Sequence, residues 1–209
     1  MNEDFESYSI EDDEDDESFR PEDSGGGKRL TMWTIVPRTM IMPTSGWELA
    51  RESGPSPELA TIRFFLPLCL ISGASVFLSK FYPGQETFAS LLVEAVISFC
   101  SFFLGYYMAI VFAKLFLPKE ARGFPLTKYG RLLTMTGVST LAIFHILFSA
   151  LPMFDFVFEF LPLWTIFLLY KGIHPDDIGK ERYPLSLGVM CVVVICSPIL
   201  VEWIFSLFV

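Results

Sequence analysis

The chain has 209 residues, 52% of them hydrophobic and only 19% charged, with a formal net charge of −9. Soluble domains carry about 25% charged residues, so this balance and a mean hydropathy of +0.49 point away from a soluble domain. No basic aromatic surface is present, which excludes nucleic acid as a partner.

The charge is unevenly placed. Residues 1–27 hold twelve of the 24 acids and a single base, Arg20, so this tail carries −11 and the remainder +2. A polar, acidic, Ser/Gly-bearing segment buries too little apolar surface to offset its ordering entropy. Residues 1–29 therefore read as a disordered acidic tail. With no basic n-region and no early apolar core, they do not read as a signal peptide.

Residues 30–62 read as a juxtamembrane segment. The stretch "LTMWTIVPRTMIM" is apolar, short and broken by Pro37, and is expected on the membrane surface. In "PTSGWELARESGPSPELATI", Trp47, Leu49 and mixed charges suit a short interfacial helix capped by Thr44 or Ser45.

Residues 63–209 read as the membrane domain. Five apolar stretches, near 64–80, 88–113, 132–151, 154–170 and 185–208, approach the roughly 20 residues that a span needs. The second is long enough to tilt. Pro152 separates the third from the fourth, giving a hairpin with a turn near Leu151–Phe154. The fold class is thus all-α, an integral bundle of five transmembrane helices behind a disordered tail.

Basic residues set the orientation. Lys28, Arg29, Arg38, Arg51 and Arg63 precede the first span, and only Lys80 follows it. Lys114, Lys119, Arg122, Lys128 and Arg131 lie between the second and third spans. Lys171, Lys180 and Arg182 lie between the fourth and fifth. The N-terminus is expected in the cytoplasm and the C-terminus at the outer face of the cell (inner) membrane.

His174-Pro175-Asp176-Asp177 follows the fourth span. Zinc needs about three or four ligands at defined spacing, and this run does not supply them. It reads instead as a helix exit, with Gly172 as C-cap, Lys171 at the interface, Pro175 as a stop and an Asp as the next cap. Cys69, Cys100, Cys191 and Cys196 lack Cys-x-x-Cys spacing and read as free thiols. No metal, cofactor or catalytic constellation is found.

Ionisable groups inside a membrane are a functional hypothesis by default. Glu94, His145, Asp155, Glu159 and Glu202 all fall in the outer half of their spans. In one reading they meet headgroups or neighbouring helices separately. In the other, Glu94, His145, Glu159 and Glu202 converge in a pocket for a proton, a cation or a headgroup amine. Pro67, Pro162 and Pro198 sit within spans, where bundles tolerate the freed carbonyls. Small residues recur on the spans (Gly73, Ala74 and Ser75; Gly105 with Ala109; Gly137 with Ser139; Ser186 with Gly188), and Gly105-x-x-x-Ala109 is a small-residue packing face for close helix contact within the bundle or between copies of it.

Three stretches carry a resemblance: "MPTSGWELARE" before the first span, "KYGRLLT" at the start of the third and "LWTIFLLYKGI" at the end of the fourth. In their order and spacing, residues 41–208 resemble the Yip (Ypt/Rab-interacting protein) domain family of five-span membrane proteins, in its bacterial branch. The resemblance implies a cytoplasmic N-terminus and no catalytic residue. The Asp-Leu-Tyr-Gly-Pro and Glu-Leu-Gly-Ile-type motifs of the eukaryotic relatives, which engage prenylated small GTPases, do not occur here. The expected role is a non-enzymatic scaffold or adaptor that binds an unknown protein partner or organises the lipid bilayer. The alternative is a small ion-coupled transporter using the outer-half groups.

Overall fold

The computed structural model describes residues 31–81, 87–151 and 160–208. The expected tail, Pro152, Asp155 and Glu159 lie outside these residues, as does most of the expected hairpin turn. The described chain is helical throughout, without a strand. Its helices are α1 (Met32–Ile41), α2 (Pro43–Ser53), α3 (Pro57–Leu78), α4 (Phe88–Phe116), α5 (Lys128–Ala150), α6 (Leu161–Gly172), α7 (Pro175–Ile178) and α8 (Tyr183–Ser206).

Four of them, α3, α4, α5 and α8, are long and apolar enough to cross a membrane. Their outward faces carry large apolar side chains such as Leu92, Val96, Val111, Leu185, Val192 and Ile199. A soluble monomer rarely exposes apolar patches on this scale. The molecule is a helical membrane bundle.

The expected fourth span is described only as α6. Its 12 residues cover about 18 Å at 1.5 Å per residue, well short of the roughly 30 Å hydrocarbon core. In α4, 29 residues run to about 43 Å, so the second span must tilt or leave the core, as its length predicts.

The central helix is α5, with 61% of its span buried against 39–44% for the other three. Its inward threonine hydroxyls are accommodated within the helix, whereas the buried Ser139 hydroxyl has no protein partner among the described residues. Thr134, Thr136 and Thr140 each donate to the carbonyl four residues back, at 2.8–2.9 Å. In an apolar medium that local bond removes most of the cost of burying a hydroxyl. Leu132, Leu133, Met135, Val138 and Ala142 fill the space between these bonds.

Two expectations about the juxtamembrane segment are corrected. The α1 stretch packs one face on the bundle, with Met32, Ile35, Val36 and Thr39 buried. Pro37 sits inside the helix instead of ending it. Neither Thr44 nor Ser45 caps α2. Met42 is the N-cap and Pro43 opens the helix, a position where its missing N–H is not needed. The first span also begins earlier than expected, at Pro57, with Ser56 as its capping side chain.

Pro67 explains why α1 is held in place. A proline inside a helix removes its own N–H and crowds the carbonyl four residues back, here that of Arg63. The helix widens into a π turn over Thr61–Phe65, with Leu66 N–H reaching Thr61 O. The indole N–H of Trp33 then donates to Arg63 O at 3.1 Å, and its ring meets Phe64 edge-on at 4.9 Å. A Trp33→Phe substitution keeps the ring and removes the donor. It should cost about 1 kcal/mol, seen as a lowered thermal unfolding midpoint in detergent.

Of the other two prolines expected within spans, Pro162 lies in the first turn of α6 and Pro198 is interior, in α8. The Gly105/Ala109 face is used inside the bundle. Both residues are buried in α4, and Gly105 lies against the backbone of Pro198.

Candidate functional site

The most connected polar cluster joins α2, α5, α6 and α7 at the end of the bundle where the basic residues collect. Trp47 and Arg51 are four residues apart on α2, so they share one helix face. Trp47 is buried, and its indole N–H donates to the Leu168 carbonyl at 2.9 Å. The Arg51 guanidinium lies 4.1 Å from the centre of the Tyr129 ring. Its Nη1 donates to Asp177 Oδ1 at 3.2 Å, and Nη2 donates to Asp177 Oδ2 and, at 3.3 Å, to Gly172 O. The Tyr129 hydroxyl donates to the same Gly172 carbonyl at 2.7 Å. Tyr183, opening α8, donates to Ile173 O at 3.1 Å.

A helix leaves its last carbonyls without intrahelical donors. At the end of α6 the last acceptor is met from outside the helix. Gly172 O takes bonds from Arg51 and Tyr129, while Leu169 O takes the helix's closing bond from the C-cap Ile173 N–H. Cations and donors are favoured at this negative pole. Partial burial works against the charge of Arg51. The Asp177 hydrogen bonds and charge and the Tyr129 hydroxyl outweigh it, and the pKa of Arg51 is raised above the ordinary arginine value. A bidentate Arg–carboxylate pair also fixes geometry as a lysine would not.

Gly172 has a different role from the one its sequence context suggests. It is the last residue of α6, and Ile173 is the C-cap in extended conformation. A Cβ on Gly172 would lie 2.7 Å from the Trp47 ring and 2.9 Å from Leu133 Cδ1. It is small so that α2 can sit on α6. Asp177 does cap α7, accepting from His174 N at 3.0 Å. It also holds Arg51, which the local reading missed because the two are 126 residues apart. Lys180 pairs with Asp176 at 3.1 Å. No group of three metal-ligating side chains occurs among the described residues, and the four cysteines are free thiols.

The outer-half set divides. His145 Nδ1 lies 3.1 Å from Ser72 Oγ, and its ring meets Phe102 edge-on. His145 and Glu202 line one cavity of about 280 Å³, together with Ser101, Phe102, Phe148 and Pro198. Ser101 is 2% exposed and its hydroxyl has no protein partner. Glu94 is exposed on α4 and is not part of this lining. Glu159 lies outside the described residues. The structure therefore brings together two of the four, and adds Ser72 and Ser101. Serines in apolar helices are too common to single these two out from sequence.

The chain matches no protein-family model, no curated protein and no solved structure.

The three stretches quoted above for their resemblance meet physically at the basic end. Trp47 and Arg51 come from the first, Tyr129 from the second and Gly172 from the third. The arrangement contains no nucleophile beside a base. What it can do is lock a juxtamembrane helix onto the ends of two membrane helices.

Proposed function

We propose that the chain is a non-enzymatic membrane adaptor of the Yip type, presenting α1 and α2 as a rigid platform to a protein partner in the cytoplasm. The observation that carries this reading is the clamp of Trp47, Arg51 and Tyr129 on the end of α6. It fixes on the membrane domain a two-helix surface that sets Glu48, Arg51 and Glu52 beside the exposed Trp33, Ile41 and Met42, and it draws on the three segments that carry the family resemblance. Arg38, Arg51 and Arg63 in or beside the platform, with the basic residues of the α4–α5 and α6–α8 connections, favour a cytoplasmic position in the inner membrane.

A fifth crossing belongs to the same reading. The bonds from the start of α5 and of α8 to the C-terminus of α6 support a return of the chain through the bilayer between α5 and α6. The C-terminus then falls at the outer face. Self-association would use the apolar groove of about 640 Å³ between α4 and α8, where Gly188 lies open.

The test is photo-crosslinking in native membranes from the exposed Ile41 and Glu52, with and without residues 1–29, followed by affinity purification. A protein partner captured from these positions and not from Trp203, at the far end of α8, is the expected result. If neither form captures one, the adaptor reading falls. The ion-coupled alternative draws support from the cavity shared by His145 and Glu202. It requires Glu202→Gln to abolish uptake of a cation into proteoliposomes.

A further inference from the structure

A second groove, of about 370 Å³, opens sideways toward the bilayer between the first turns of α3, the middle of α4 and the first turn of α5. We infer that it is a binding site for a phospholipid whose zwitterionic headgroup ends in a primary amine, in the leaflet at the basic end of the bundle. Four observations meet there.

The first is charge. The groove is lined by one base and one acid, Arg131 and Glu58, whose Nη1 and Oε1 are 3.3 Å apart. Both are exposed to solvent, at 39% and 69%, and an exposed pair of this kind contributes little. It opens at little cost. A headgroup phosphate answers Arg131, and its ammonium answers Glu58.

The second is an unmet donor. The Nε–H of Arg131 is buried and has no acceptor in the protein. Leaving such a donor unpaired is unfavourable, and once the pair with Glu58 opens, Arg131 can turn this N–H to a phosphate oxygen.

The third is the backbone. Thr61 and Ile62 on the groove wall belong to the π turn of α3. Single π turns inside α-helices occur frequently at functional sites. Here the turn widens the helix beside the groove, and Thr61 keeps its hydroxyl on Pro57 O at 2.8 Å. The fourth is the apolar lining. Ile62, Ile110 and Val111 lie between the charged rim and the half-exposed Tyr107 deeper along α4, a wall suited to an acyl chain.

The pairing of charges selects the lipid. An anionic phosphatidylglycerol meets Arg131 but is repelled by Glu58. Phosphatidylcholine matches the charges, yet its quaternary ammonium has no N–H to donate to the carboxylate. Phosphatidylethanolamine satisfies both. This site is separate from the clamp and from the adaptor reading, because it is tested on purified protein without any partner.

The experiment is native mass spectrometry of the full chain released from nanodiscs of phosphatidylcholine containing matched fractions of phosphatidylethanolamine and phosphatidylglycerol. The wild type should retain phosphatidylethanolamine over phosphatidylcholine by about tenfold, the equivalent of one charge-assisted hydrogen bond. Glu58→Gln should abolish that preference and move retention toward phosphatidylglycerol. Arg131→Gln should lose both lipids. Tyr107→Phe, which keeps the ring contacts to Phe103 and Tyr106 and hence the fold, should weaken retention severalfold. Wild-type preference for phosphatidylglycerol or phosphatidylcholine would overturn the inference. So would unchanged phosphatidylethanolamine retention in Glu58→Gln and Tyr107→Phe.

Discussion

Replacing Trp47 with Ala is expected to lower stability by about 3–5 kcal/mol, the usual cost of emptying a buried aromatic site. The ring is 2% exposed and fills the space above Gly172, with Tyr129 edge-on at 6.1 Å. Its loss leaves Leu168 O without its outside donor and Arg51 without its neighbour on α2. The four long helices make their own contacts, so the damage should be local. Limited proteolysis should cut the chain between α2 and α3, near Gly54, while helical circular dichroism of the membrane domain persists. Trp47→Phe separates the two contributions. It keeps most of the packing and removes the hydrogen bond, so it should cost about a third as much. A Trp47→Ala protein with wild-type melting and wild-type proteolysis would show that the clamp holds nothing.

Replacing Gly105 with Leu is expected to be at least as damaging. A Cβ there would sit 2.9 Å from Pro198 Cα and 3.0 Å from Pro198 N. Those are backbone atoms, so no side chain can rotate away. Relief requires α4 and α8 to separate along their closest approach, and overpacking of this kind costs about 1–3 kcal/mol even for small additions. A leucine adds three further carbons, so the variant should fail to yield a monodisperse peak in detergent. Gly188 is the internal control. Nothing lies within 4 Å of a Cβ placed there, so Gly188→Ala should be tolerated and gain up to about 1 kcal/mol from helix propensity. Equal behaviour of the two variants would refute the contact at Pro198.

Long apolar periods and the Gly105/Ala109 spacing were legible in the sequence because they are local. Each depends on residues within one helix, and helix packing follows from them directly. The clamp was not legible, because its bonds join residues 121 and 126 positions apart. Trp47 looked like an interfacial anchor and Asp177 like a cap, and a single chain offers no signal linking them. The outer-half set divided for a different reason. Depth along each helix was inferred from counting, which does not show which helices bring their groups to one level. Glu94 lies seven residues from Ser101 on the same face of α4, and about 10 Å along the axis keeps it out of the cavity that Ser101 lines. The α1 stretch was misjudged because Pro37 was read as a break. Its value to the fold lies in Trp33, whose partner is a carbonyl freed by a proline in another helix.

The sequence separation inside the clamp also orders events in time. Trp47 and Arg51 leave the ribosome long before Leu168, Gly172 and Asp177 exist to receive them. Contacts of such separation are late to form, since the intervening loop must be closed first. Until α6 is in place, the nascent chain displays an indole and a guanidinium with nothing to bind. Closure of the clamp therefore falls among the last contacts of folding: only a chain that has placed its later helices can bury the Trp47 indole and pair the Arg51 guanidinium.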